Sequence, residues 1–329
     1  MSKFSFPPWA VWLMALGLLA FIGMVAYSIR RNRGVKRTLF TFPYGLWIAV
    51  FTIIPLLLIG YYAFTDRSGA FTLDNFKTFW DSNYEMQKQL LDLGFNPLEL
   101  GVARGNVNVD TLVYSLWMAF LCTAICLVLG YPAAFFMADR AFKLGSTLVI
   151  LFIIPMWMNF LLRTIAWMSL LEDNGLINTL LAAIGLPKMK LMYNSQAVLL
   201  GMVYNYLPFM VFPIYNSLNK QEYRLSEAAM DLGANPRTTF MKVTLPLSLP
   251  GVVSGITMVF MPSVTTFFIP RVLGGGNTEM FGDLIERTFL MADNWNVGSA
   301  LSLIMMVLII MSLTLLRKVD PEGEGGSTI

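Results

Sequence analysis

Histidine is absent from all 329 residues, and cysteine occurs only twice. Cys122 and Cys126 stand four apart in an apolar run, so on a helix they share one face and cannot staple distant elements together. A metal centre and a Cys/His nucleophile are therefore excluded as readings, and no metal site is assigned. Charge is scarce as well, at 13% of residues against 56% hydrophobic, with a mean hydropathy of +0.63. A soluble domain carries about 25% charged residues, so this composition belongs in a bilayer. The one glycine cluster, LGGGNTEMFG from Leu273, lacks the GK[ST] ending of a phosphate-cradling loop, which leaves no site for nucleotide hydrolysis. Nor does any long apolar run carry a carboxylate at its middle, where ion-coupled transporters commonly hold one.

What is present is a series of long apolar runs. Crossing the hydrocarbon core takes about 20 apolar residues in helical form, with every backbone group satisfied inside the segment. The runs predict an all-α integral membrane protein of about seven transmembrane helices: Trp9 to Ile29, Thr38 to Phe64, Asp110 to Met137, Ser146 to Leu171, Gln196 to Leu218, Ser248 to Ile269 and Val297 to Leu316. Pro208, Pro213, Pro262 and Pro270 interrupt these spans, remove backbone donors and predict kinks.

Basic residues set the orientation. Arg30, Arg31, Arg33, Lys36 and Arg37 crowd the link between the first two spans, and short basic loops stay in the cytoplasm. The amino terminus is then outside and the carboxyl terminus inside. Alternation gives 13 Lys/Arg against 7 Asp/Glu on the inner side and 9 against 13 on the outer side, with Arg163 left at membrane depth. The first run is read as a retained helix and not a cleaved leader, because its basic residues follow it and no small-x-small site ends it.

One stretch breaks the apolar pattern. Residues 227 to 246 read EAAMDLGANPRTTFMKVTLP, polar and amphipathic, on the predicted cytoplasmic side. Ala228 and Ala229 permit close approach of another surface, while Gly233 offers a C-cap that turns the chain after about two helical turns. Pro236 starts a second helical piece whose Phe240 and Val243 form an apolar face, before Leu245-Pro246 leads into the next span. A short helix followed by a bend is a docking knob; the alternative is an interfacial loop without a partner.

The spacing EAA, three residues, Gly233, nine residues, then VTLP resembles the EAA loop of bacterial ABC-importer permeases. Other passages extend the likeness from about Thr38 to Leu316: LRTIAWMSLLEDNGLINTL from Leu162, YLPFMVFPIYNSL from Tyr206, FIPRVLGGG from Phe268 and DNWNVGSALSL from Asp293. They are similar to the six-helix type I permeases, and nearest to the spermidine/putrescine transport permease family. The resemblance implies a helix at 1–37 added to a permease core at 38–316, an outer segment 65–109 that forms part of a dock, a coupling loop 219–247 and a flexible tail 317–329. It implies a location in the bacterial cell membrane and a transport subunit instead of an enzyme. Its partners would be an ABC ATPase dimer that binds ATP and Mg, a second homologous permease, an extracytoplasmic solute-binding protein and the lipid bilayer, with no nucleic acid and no cofactor in this chain.

Under that resemblance Glu227, Ala228, Ala229, Gly233, Ala234, Leu245 and Pro246 form the ATPase-coupling set. Candidate residues of a translocation path or gate are Asn159, Arg163, Asn205, Thr265, Thr266, Phe267 and Phe268. An arginine inside a span costs several kcal/mol unless it snorkels, pairs or meets water, about 3 kcal/mol by insertion scales. Glu172 and Asp173 are its candidate partners. The four residues from Thr265 to Phe268 read either as a gate with aromatic closure or as helix packing with hydroxyls bonded back to the backbone. A polyamine path calls for carboxylates and aromatic faces, and Glu172, Asp173, Asp283, Glu286 and Asp293 are candidate outer-mouth acids. Thr266 and Arg271 stand where related permeases often carry acids, which keeps open a permease for ferric iron or a small organic anion. A secondary transporter or channel working without an ATPase is the alternative of another class.

Overall fold

The computed structural model describes residues 44–45, 47–93, 105–139 and 145–319. The predicted first span, the basic link after it, residues 94–104 of the predicted outer segment and the tail after residue 319 lie outside the described residues. Among those described the secondary structure is helical, apart from one isolated bridge between Thr65 and Phe71. The chain divides into two compact units, one of residues 1–77 with 294–304, the other of residues 78–293 with 305–329.

In the smaller unit a π-helical turn, Ala49–Ile53, runs into α1 (Ile54–Ala63), and α2 (Asp74–Trp80) follows the bridge. The last carbonyls of α1 have no helical partner of their own. Asn75 Nδ2 donates to Ala63 O at 3.0 Å and Thr65 O at 2.8 Å, and Asn296 Nδ2 donates to Tyr62 O at 3.1 Å and Thr65 O at 2.6 Å. Two asparagines thus close one helix end. The turn before α2 is held by Asp66, whose Oδ1 accepts from Ser68 N, Ser68 Oγ and Ala70 N at 2.6 to 2.9 Å. The Ser68 hydroxyl, more than any other contact, lowers the carboxyl below its usual range.

The larger unit contains α3 (Tyr84–Asp92), α4 (Val107–Ala138), α5 (Gly145–Trp157), α6 (Phe160–Leu171), α7 (Leu176–Ala183), α8 (Ser195–Lys220), α9 (Tyr223–Asp231), α10 (Pro236–Thr239), α11 (Leu245–Thr265), α12 (Phe268–Gly274) and α13 (Phe281–Leu290). A last helix, α14 (Trp295–Val319), passes through both units. Among the described residues, four helical stretches are long and apolar enough to cross a membrane: Val107–Ala138, Ser195–Lys220, Pro236–Thr265 and Trp295–Thr314.

The core forms where α8 packs on α4 and α11, and its buried side chains include Met202, Met210, Ile214, Cys122 and Val259. Lipid offers no hydrophobic drive between helices, so close backbone approach decides the contact. Gly251 and Gly255, spaced as a GxxxG pair on α11, provide it. A Cβ on Gly251 would sit 2.6 Å from Pro213 O, and one on Gly255 would sit 2.8 Å from Met210 Sδ.

Two of the predicted spans need correction. The run from Ser146 to Leu171 is not one helix: it breaks between Trp157 and Phe160, and the pieces on either side meet at 94°. Asn159 takes an extended ψ of 128° and its side chain accepts Leu161 N–H, so an N-cap restarts the helix inside an apolar run. The run from Ser248 to Ile269 starts earlier and stops sooner. It is helical from Pro236 to Thr265, turns extended at Thr266 with ψ of 139°, and resumes as α12.

Pro208 and Pro213 in α8 and Pro262 in α11 lie inside helices that continue through them. At Pro55 and Pro246, in the first turns of α1 and α11, the preceding turn is widened. Ile54 N–H bonds Ala49 O just before Pro55, and Leu245 N–H bonds Phe240 O just before Pro246. A proline ring crowds the carbonyl four residues back, and the five-residue π turn moves that carbonyl aside.

Candidate functional site

Three regions hold the candidate residues, all within the larger unit. The first is the hairpin of α9 and α10 beyond the end of α8. Gly233 N–H donates to Met230 O at 2.9 Å and Ala234 N–H to Ala229 O at 3.1 Å, the paired bonds of a Schellman C-cap. That cap needs a left-handed residue, and Gly233 has φ of +88° with nothing near its Cβ direction. Two residues on, Asn235 Oδ1 accepts Thr238 N–H at 2.8 Å, and Pro236 occupies the first helical turn of α10.

The tip of the hairpin is exposed: Leu232 is 90% accessible, and Glu227 and Ala228 also face out, with Ala229 and Ala234 half-buried. Its base is fixed. Phe240 meets Tyr131 and Phe135 of α4 edge-on, at 6.1 Å and 5.3 Å between ring centres, and Gln221 Nε2 donates to Thr244 O at 3.2 Å. Leu245 and Pro246 lie inside the long helix Pro236–Thr265 and not in a loop leading to it. The hairpin is thus a short, exposed helix on a packed stem.

The second region surrounds the two helix breaks. Phe160, which opens α6, and Phe268, which opens α12, approach to 5.9 Å between ring centres. Arg163 on α6 is buried, and its Nε and Nη1 have no hydrogen-bond partner. Glu172 and Asp173 do not pair with it; both are exposed, in the turn after α6. Asn205 on α8 is buried, with Nδ2 donating to Gly201 O at 2.8 Å and Oδ1 left without a partner. Next to it Tyr206, which the sequence reading left unassigned, donates its hydroxyl to Pro262 O at 3.3 Å and lies within electrostatic reach of Arg163. Thr266 is buried beside the break, Thr265 bonds back to Met261 O at 3.2 Å, and Phe267 stays 44% exposed. Asn159 acts as a helix cap. Among the candidates, Arg163, Asn205 and Thr266 are the buried polar groups and Phe268 the half-buried ring.

The third region is the opposite end of α8, where α12, α13 and their connection gather. Arg271 clamps both acids of α13. Its Nε and Nη2 donate to Asp283 Oδ1 at 3.1 Å and 2.6 Å, and Nη2 stands 2.6 Å from Glu286 Oε2. Two of the candidate outer-mouth acids are therefore neutralised within the chain. Asp293 is exposed with a φ of +47°, in the turn before α14. Glu279 was not singled out from the sequence, although it lies within the glycine cluster. Burial raises its carboxyl above the usual range; the Arg287 guanidinium, 3.0 Å away, pulls it back, and Asp283 adds to the rise. Ser115 Oγ accepts Phe281 N–H at 2.7 Å and pins the start of α13 to α4.

These features do not assemble a catalytic constellation, and among the described residues no group of His, Cys, Asp or Glu is arranged to hold a metal ion. What they assemble is a helical bundle with a stalked hairpin at one end, polar breaks along its length and an acidic, arginine-clamped opposite end.

Comparison with known proteins agrees with that assembly. Residues 108–322 match the family described as binding-protein-dependent transport system inner membrane component. The spermidine/putrescine transport system permease protein PotB of Escherichia coli (strain K12) is 34% identical over 278 residues, covering 82% of this chain and 92% of that protein. Its counterpart in Haemophilus influenzae is 35% identical over 264 residues, covering 80% of this chain and 86% of its own length. Among solved structures, a bacterial ABC transporter that imports the acidic polysaccharide alginate shares the fold, with a TM-score of 0.65 at 14% identity over 90% of this chain and 99% of that one. With a family match across most of its described helices and relatives that align along most of its length, this chain belongs to the binding-protein-dependent transport system inner membrane components, the permeases of ABC transporters.

Proposed function

We propose that the chain is the membrane-spanning permease subunit of an ATP-driven importer whose cargo is a polyamine, spermidine or putrescine. The observation that carries the cargo is the 34% identity along 82% of the chain to a spermidine/putrescine permease. In this reading the α9–α10 hairpin faces the cytoplasm and enters a groove of a separate ATPase, which binds ATP and Mg. The amino terminus and the α12–α13 end face outward, towards a solute-binding protein. A second, homologous permease supplies the other half of the path, and this chain adds no cofactor.

The mechanism follows from the stem. Closing of the ATPase dimer displaces α9; the Schellman cap at Gly233 and the rings around Phe240 pass that displacement to α11 and α4 without a flexible joint. The breaks at Asn159 and at Thr266–Phe267 are then the places where helices reorient between inward-facing and outward-facing states.

A second reading has one observation in its favour. Arg163 is a buried guanidinium with unpartnered donors, which suits an anionic cargo better than a cation. Reconstitution of the full complex in proteoliposomes separates the two: ATP-dependent uptake of labelled spermidine, unaffected by excess organic anion, supports the polyamine reading, and uptake of the anion alone overturns it. In the same vesicles Glu227→Lys is expected to lower uptake at least tenfold with the permease still inserted, because it reverses a charge on the exposed face of α9. Unchanged uptake would remove α9 from the coupling path.

A further inference from the structure

The end of the bundle that carries α12 and α13 contains a cavity of about 300 Å³, lined by Asp110, Thr111, Tyr114, Ser195, Asn277, Thr278 and Glu279. It is built from the first turns of α4 and α8 and from the connection between α12 and α13. α8 starts at this cavity and ends beside the α9 hairpin, so the two lie at opposite ends of a 26-residue helix. At 1.5 Å per residue that is about 39 Å, enough to cross a bilayer.

The lining is rich in acceptors whose capacity is unfilled. Thr278 is buried, at 9% accessible, and its Oγ1 has no hydrogen-bond partner. Glu279 Oε1 is also buried without a hydrogen bond, because Arg287 stands 3.0 Å away without the alignment one requires. Asp110 is exposed, lies in the first turn of α4, and pairs with no cationic side chain among the described residues. Tyr114 donates its hydroxyl to Ser195 Oγ at 2.8 Å, which leaves the phenol oxygen free to accept. Asn277 spends its amide on Tyr193 O at 3.3 Å, leaving its carbonyl oxygen.

A group that fits this lining must bring several N–H donors, positive charge and little bulk. A primary ammonium has three donors and no acceptor, and it is compact enough to sit between two carboxylates. An anion would meet two carboxylates and, among the described residues, no cationic side chain in the lining; Arg287 stands beside it, engaged by Glu279. We infer that this cavity is an ammonium subsite, which holds one terminal amine of the cargo through Asp110, Glu279 and Thr278 as it enters or waits at the mouth of the path. The inference rests on the polyamine reading above for the identity of the cargo. The geometry that selects a primary ammonium does not depend on it.

The test uses the assembled transporter with its ATPase and second permease. Asn277→Cys places a thiol on the exposed rim, and the two native cysteines are buried. Free putrescine is expected to slow labelling of that thiol by a methanethiosulfonate reagent in a saturable way. Adding Asp110→Asn or Thr278→Val should raise the putrescine concentration needed for half-protection about tenfold, the value of one charge-assisted contact. Absence of protection by free putrescine overturns the subsite. Protection by the solute-binding protein alone, with or without bound polyamine, also overturns it and makes the cavity a protein dock. If putrescine protects the thiol yet the unsubstituted transporter moves no polyamine, the subsite stands and the assigned cargo falls.

Discussion

Where α8 ends, at Lys220, the chain turns out into a hairpin whose apolar tip, Leu232, is 90% exposed; where α8 begins, at Ser195, it is met by a connection laced with ion pairs. At the hairpin the polar work is done by backbone caps: a Schellman pair at Gly233 and an Asn235 N-cap. At the other end it is done by side chains, with Arg271 on Asp283 and Glu286, and Arg287 on Glu279. Caps fix a shape and leave the outward side chains uncommitted, which suits a surface that another protein will cover. Ion pairs hold the side chains in place, and what remains for a ligand at that end is the cavity lining beside them: Asp110, Thr278 and the Glu279 carboxylate, which makes no hydrogen bond through Oε1. Under the proposed function the first end takes force and the second discriminates by charge.

The comparison has force only if the two ends are mechanically joined, and the largest effect is expected from cutting the join. Gly255→Leu puts a branched side chain where even a Cβ would lie 2.8 Å from Met210 Sδ. Overpacking of this kind costs about 1–3 kcal/mol, and here α11 must also move off α8. The expected outcome is a permease with a lowered melting midpoint that hydrolyses ATP in its complex without uptake. Normal coupling in this variant would show that force does not travel through the α8–α11 contact.

A smaller effect is expected from changing the hairpin tip. Leu232→Asp touches nothing that holds the hairpin together, because both capping bonds at its end run through backbone groups. Loss of an apolar anchor in a protein interface costs about 2 kcal/mol, or roughly 30-fold in affinity. The expected outcome is weaker co-purification of the ATPase with unchanged thermal stability of the permease. Equal loss of both would mean that the tip is structural and that its exposure does not mark a docking surface.

Legibility in the sequence follows the same division. The hairpin was readable because its determinants are local: EAA, then Gly233, then Pro236, each acting within about one turn. The apolar runs were readable because hydropathy sums over whole helices. The break in the span from Ser146 was not, since apolar residues continue on both sides and one asparagine cap decides the turn. The fate of the acids was hidden for a different reason. Asp283 and Glu286, three apart on a helix, present one face, but nothing local indicates that Arg271 in the preceding helix reaches both. Glu279 carries no local signal, because its burial arises from tertiary packing.

That arginine clamp gives the smallest expected effect and the sharpest test of the charge argument. Arg271→Gln leaves Asp283 and Glu286 facing each other one turn apart, with 15% and 24% of their side chains accessible. Because Arg271 is itself 37% accessible, solvent screens much of the interaction, and the stability cost is about 1 kcal/mol. The effect on charge selection runs the other way. Two released carboxylates deepen the negative potential of this end, so half-saturation by a polycation should shift to lower concentration at low salt, and the shift should vanish at high ionic strength. Loss of polyamine response in Arg271→Gln would mean that the clamp matters for shape alone, and the contrast between a force-bearing end and a charge-reading end would reduce to two differently built helix connections.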